Sequence, residues 1–112
     1  MNATQLDKSS SGALRDAVVA ALRTVYDPEI PVNIYDLGLV YALEVDGGVG
    51  HVRVLMTLTS PGCPVAQTFP MTVEQVIRGV AGVRDAEVEI VWEPPWGPER
   101  MSEAVRLQLG MA

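Results

Sequence analysis

The stretch TSPGCPVA, residues 59–66, holds the only cysteine of the chain, Cys63, between a glycine and a proline at the end of a long apolar run. A thiolate, not a thiol, is the nucleophile and the metal ligand. Just ahead of a helix, exposed backbone N–H groups and the helix dipole favour that form. Pro64 suits a first helical position, and Pro61 and Gly62 shape the turn, with Gly62 letting another group approach the backbone closely. Two readings stand side by side. Free cysteine is among the most buried residue types, which makes Cys63 a small core hydrophobe. Strand-to-helix loops are also where proteins built of helices and strands gather their sites, which makes it a presented thiol.

Other chemistry-bearing residues lie near it in the chain. Thr57, Thr59 and Ser60 bring hydroxyls toward the loop, either to bond a bound group or as ordinary polar strand and capping residues. Asp27, Glu29 and Asp36 form an acidic cluster, which serves either as solvated turn residues or as the flank of a metal. His51, the only histidine, falls on an exposed strand face with no partner placed to orient it. No Ser-His-Asp or Cys-His arrangement is present. Trp92 and Trp96 bracket the stiff segment EPPWGP; Trp92 reads as core, while Trp96 and Glu93 are candidates for partner binding.

The elements that must position these groups follow from periodicity. SSSG precedes a helix over 13–26 whose Leu14, Val18, Ala21, Leu22 and Val25 share one face, and Asp27-Pro28 must end it. LVYALEV and GHVRVLMTLT alternate on either side of Asp46-Gly47-Gly48 and predict a β-hairpin. In its second strand Val52, Val54, Met56 and Leu58 face one side, and His51, Arg53, Leu55, Thr57 and Thr59 the other. A second helix runs from Pro64 to about Arg78, with Pro70 kinking it or ending its first segment. RDAEVEIVW alternates as a third strand, and MSEAVRLQL is a short closing helix stopped by Gly110. The crossover from the second strand to the third predicts an α+β fold, a two-layer sandwich of helices on a small mixed three-stranded sheet.

Length and composition bound the rest. The 112 residues, 48% hydrophobic, suit a single domain over 13–112 behind a flexible tail at 1–12. One cysteine makes no internal disulfide and no structural zinc site, which fits a reducing cytoplasm. The first twelve residues lack the apolar stretch of a signal peptide, and no apolar run reaches the roughly 20 residues of a membrane helix. A net charge of −6 with scattered basic residues argues against nucleic-acid binding.

Four segments in order, DPEIPVNIYDLGLVY, VLMTLTSPGCPVA, VEIVWEPPW and MSEAVRLQLG, carry a family resemblance over residues 14–110. The chain resembles the SufT-like and PaaD-like family of iron-sulfur cluster assembly factors. PaaD proteins of phenylacetate breakdown usually add a cysteine-rich tail that this sequence lacks, so it looks like the short SufT-like form. The resemblance implies a compact α+β domain that helps mature iron-sulfur proteins. It places the family's reactive cysteine on Cys63, its acidic pair on Asp27 and Glu29, and its hydroxyl pair on Thr57 and Thr59. On that footing the chain is expected to be a non-enzymatic factor, with Cys63 a transient ligand to iron or to a cluster held mainly by a partner. Ser60 and Gly62 support the loop. Expected partners are scaffold or carrier proteins and client apoproteins, with a homodimer also in view. The competing expectations are a phenylacetate-pathway component, a thiol-dependent redox protein, and a plain adaptor with no metal role.

Overall fold

The computed structural model describes residues 3–27, 30–59 and 68–110, with the side chains of its first helix described from Gly12 onward. The order is α1 (Ala3–Leu22), β1 (Val40–Asp46), β2 (His51–Met56), α2 (Phe69–Arg78), β3 (Asp85–Ile90) and α3 (Glu103–Gln108), with a short 3-10 turn at Pro98–Arg100. The sheet is ordered β1-β2-β3, with β1 antiparallel and β3 parallel to β2. This is the expected two-layer α+β sandwich. Its two longer helices contact the sheet, α1 on β1 and α2 on β3, and touch each other.

The alternation that made β2 legible is also what builds the core. Val52, Val54 and Met56 are wholly buried and Leu58 nearly so, and they meet Leu14, Val18 and Leu22 of α1 and Phe69, Val73 and Ile77 of α2 in one cluster. Burying each such side chain stabilises the fold by about 1.5–3 kcal/mol. Val25, Val32, Ile34, Leu37 and Leu39 extend that cluster through the connector between α1 and β1.

Several boundaries differ from expectation for local reasons. Helix α1 stops at Leu22, short of the Asp27-Pro28 stop, because the chain then turns to pair with its own connector. Asp27 N donates to Val32 O, Ile34 N donates to Val25 O, and Tyr26 bridges Asn33. Helix α2 begins at Phe69, which puts Pro70 in its first turn, where a missing N–H costs nothing, rather than a turn and a half inside. The expected course at residues 64–67 lies outside the described residues. The hairpin turn spans residues 47–50, and its positive φ falls on Gly50, whose N–H closes onto Asp46 O, not on Gly47 or Gly48.

A β-bulge between Val40 and Ala42 breaks the even alternation of β1. Val40 takes the position opposite Met56, and Tyr41 is the extra residue. So re-aimed, the Tyr41 hydroxyl donates to Pro94 O at 2.8 Å and its ring lies under the Arg100 guanidinium, 4.4 Å from the ring centre. The segment after β3 thus returns across the start of β1. There Ser102 N donates to Asp36 O, Ser102 Oγ accepts from Val105 N to cap α3, and Met101 and Val105 enter the core.

Trp92, expected in the core, is 40% exposed, because β3 ends at Ile90 and the chain leaves the sheet before it. Trp96 turns inward instead: its indole N–H donates to Leu37 O at 2.8 Å and its ring packs against the core. Glu93 is exposed.

Candidate functional site

The site begins where β2 ends. Its last residue, Met56, accepts from Val91 N, and Thr57 N donates to Leu39 O, so the carboxyl ends of β2 and β3 lie beside the start of β1. From this corner the chain enters residues 60–67 and re-emerges at Thr68 to start α2. Cys63, Ser60, Gly62 and Glu29 lie outside the described residues.

Of the residues expected around Cys63, Asp27, Thr57 and Thr59 are described: Asp27 meets Thr59, and Thr57 lies two residues earlier in the same segment leaving β2. Asp27 and Thr57 are the only buried polar residues among the described ones, at 6% and 0% exposure. Asp27 Oδ2 accepts from Ile30 N at 2.8 Å, which folds the connector back around the carboxylate. Its Oδ1 lies 3.5 Å from the Thr59 hydroxyl, a long contact that links the connector to the end of β2. Thr57 Oγ1 is sealed from solvent with no hydrogen-bond partner. A hydroxyl left this way costs about 1–3 kcal/mol, so a fold that keeps one has a polar position that nothing in the described residues uses.

Asp36, the third acid of the sequence cluster, belongs elsewhere. Its carboxylate accepts from Arg23 Nε at 3.3 Å and from Asn33 Nδ2 at 3.0 Å, beside a shallow indentation of about 110 Å³ shared with Tyr26 and Gln108. It holds the connector's shape rather than joining Asp27. His51 also departs from expectation: its Nδ1 lies 3.2 Å from Asp85 Oδ2, so it does have a partner that orients it. The β2–β3 register, which pairs His51 with Asp85, was the missing information.

Among the described residues no group of three or more His, Cys, Asp or Glu side chains is placed to hold a metal ion. No helix among them is long and apolar enough to cross a membrane. What the corner offers is a buried carboxylate that accepts from Ile30 N, an unused hydroxyl on Thr57, and the end of the strand from which the chain goes on toward Cys63.

The chain is similar to known proteins over most of its length. A chain from Porphyromonas gingivalis named "Fe-S protein maturation auxiliary factor" is 48% identical over 93 residues, 83% of this chain and 88% of that one. The Staphylococcus aureus "Fe-S protein maturation auxiliary factor SufT" is 42% identical over 88 residues, 79% of this chain and 99% of its own. The crystal structure of a domain from Bacillus anthracis, described as "Domain of Unknown Function DUF59", superposes with a TM-score of 0.82 at 38% identity and covers 95% of this chain and all of that one. The family described as "Iron-sulfur cluster assembly protein" matches residues 15–90, from the second half of α1 through the last residue of β3, and the chain belongs to it.

Proposed function

We propose that this chain is an accessory factor in the assembly of iron-sulfur clusters or in their delivery to apoproteins. Its family and the names of its relatives support that role directly. It acts without turnover of its own. Cys63 is a transient ligand to iron or to a cluster that is cargo, and Asp27 with Thr57 forms the polar floor beneath its loop. The single observation that carries the site reading is the sealed, unpartnered hydroxyl of Thr57, two residues before Thr59, whose own hydroxyl lies 3.5 Å from the buried carboxylate of Asp27.

Stoichiometry requires a partner. An iron-sulfur cluster usually takes about four protein ligands, and this chain offers one thiol. Most of the coordination must therefore come from a scaffold, a carrier or the receiving apoprotein. A lone thiolate suits a hand-over, since it releases the metal as soon as a protein with several ligands competes for it. Metal binding to cysteine displaces the thiol proton, so loading is expected to strengthen as pH rises.

Anaerobic incubation with ferrous iron and sulfide, counting iron and sulfide per chain for the wild type and for Cys63→Ala, tests the cargo reading. The expected result is weak, Cys63-dependent loading that passes to an apoprotein on mixing. If Cys63→Ala loads and delivers as the wild type does, the thiol is not the ligand and the reading fails.

A further inference from the structure

The structure assigns a second interaction surface, the open edge of β3, to an extended segment of a partner protein that alternates basic and apolar side chains. The assignment rests on backbone geometry and goes beyond the cargo site.

In a parallel ladder a strand turns alternate residues toward one neighbour. Asp85 N donates to Gly50 O and Val91 N to Met56 O, and the pairing is unbroken from His51–Asp85 to Met56–Ile90. The odd-numbered residues of β3 therefore bond to β2, and Ala86, Val88 and Ile90 point their N–H and C=O groups outward. Among the described residues the sheet ends there, since no fourth strand pairs with β3. Arg78 Nη2 donates to Ala86 O and occupies the first outward carbonyl. Val88 and Ile90 keep theirs open among the described residues, a template for one added strand.

The side chains state what that strand must carry. Val88 and Ile90 are only half-buried, and exposed Trp92 follows them beyond the strand's end, so one face of the edge is apolar. The other face is acidic. Glu87 is 62% exposed and faces only His51 Nε2 at 3.9 Å, while Glu89, 60% exposed, shares Arg53 with Glu44 at 3.9 and 4.0 Å. An incoming strand places its own side chains alternately on these two faces. A second copy of β3 laid antiparallel and centred on Val88 would oppose Glu87 with Glu89, so the charges turn away self-pairing and admit a basic strand. The edge also runs toward the end of β2, since Val91 N donates to Met56 O.

The probe is a capped hexapeptide of alternating lysine and valine, titrated into isotope-labelled protein. The amides of Val88 and Ile90 are expected to shift and to exchange with solvent about tenfold more slowly when the peptide is saturating, as new ladder bonds form. The peptide with glutamate in place of lysine, and a lysine peptide N-methylated along one edge, are each expected to bind at least about tenfold more weakly. Val88→Pro removes an outward N–H and no bond to β2, so it keeps the sheet and loses the peptide. Wild-type affinity in a folded Val88→Pro overturns the assignment, as does unaltered exchange at Val88 and Ile90 with peptide in excess. Equal binding of the glutamate peptide overturns the charge argument, and concentration-dependent shifts at Val88 and Ile90 without peptide give the edge to a second copy instead. Should Val88→Pro not fold, equal binding of the N-methylated and unmodified peptides to the wild type is itself the overturning result. None of these readouts involves iron, so the cargo reading stands or falls separately.

Discussion

Thr57 carries a hydroxyl that the folded chain seals away without a hydrogen bond. If that hydroxyl served the fold, replacing it would cost stability, which separates a stability role from a functional one. Thr57→Val keeps the shape and removes the unsatisfied group, and is expected to leave stability unchanged or raise it by about 1 kcal/mol, some 4–8 °C in Tm for a domain of this size. Maturation of a client protein should fall in the same variant; calorimetry beside a client-activation assay reads both, and a large loss of Tm would mean the hydroxyl holds the fold. Asp27→Ala should behave in the opposite way, losing about 1–3 kcal/mol in urea unfolding because Ile30 N–H loses its acceptor. Asp27→Asn, which retains an acceptor, should lose less. The sequence made both residues visible as candidates, yet period-two alternation set Thr57 on the polar face of β2 and gave no hint of its burial. Alternation reports which side a residue faces; what covers that side depends on segments far along the chain.

Among the elements, the β-hairpin and the crossover through α2 were legible because their apolar periods are strong and the residues between them break both patterns. Pro70 shows what periodicity misses. The apolar spacing from Val65 onward continues through it, so the pattern alone puts proline inside the helix, whereas the structure starts α2 at Phe69. A proline in a first turn mainly restricts the unfolded chain, so Pro70→Ala should cost no more than about 1 kcal/mol in urea unfolding, while Val76→Pro, deep in the same helix, should cost about 3 kcal/mol or more. Comparable losses from the two would return Pro70 to the helix interior. The β1 bulge was equally hidden, because Leu39, Tyr41, Leu43 and Val45 alternate cleanly and only the pairing with β2 displaces Tyr41.

At the scale of the whole molecule, the segment from Val91 to Gly110 lies beyond the residues matched by the family and works as a strap over the start of β1. Trp96 on Leu37 O, Ser102 on Asp36 O and the Tyr41–Arg100 stack tie it down, and Gly38 lets it pass. At a φ of 84° Gly38 sits in the left-handed region, and a Cβ there would collide with Arg100 O. Tyr41 gives this strap a dependence on alkaline pH. Burial pushes its phenol above the ordinary 10.0, with Arg100 pulling it down and Glu99 pushing it up. The unfolded chain therefore ionises Tyr41 before the folded chain does. Above the ordinary value the unfolded state binds fewer protons, so stability is fully present below about pH 10 and falls as pH rises through the folded pKa. Tyr41→Phe should abolish that part of the slope while losing the hydroxyl's bond to Pro94 O, a cost of about 1 kcal/mol at neutral pH. Urea unfolding of both proteins from pH 8 to 11 checks this. The two stability curves should converge at the alkaline end, and parallel curves would mean that Tyr41 titrates alike in the folded and unfolded chain.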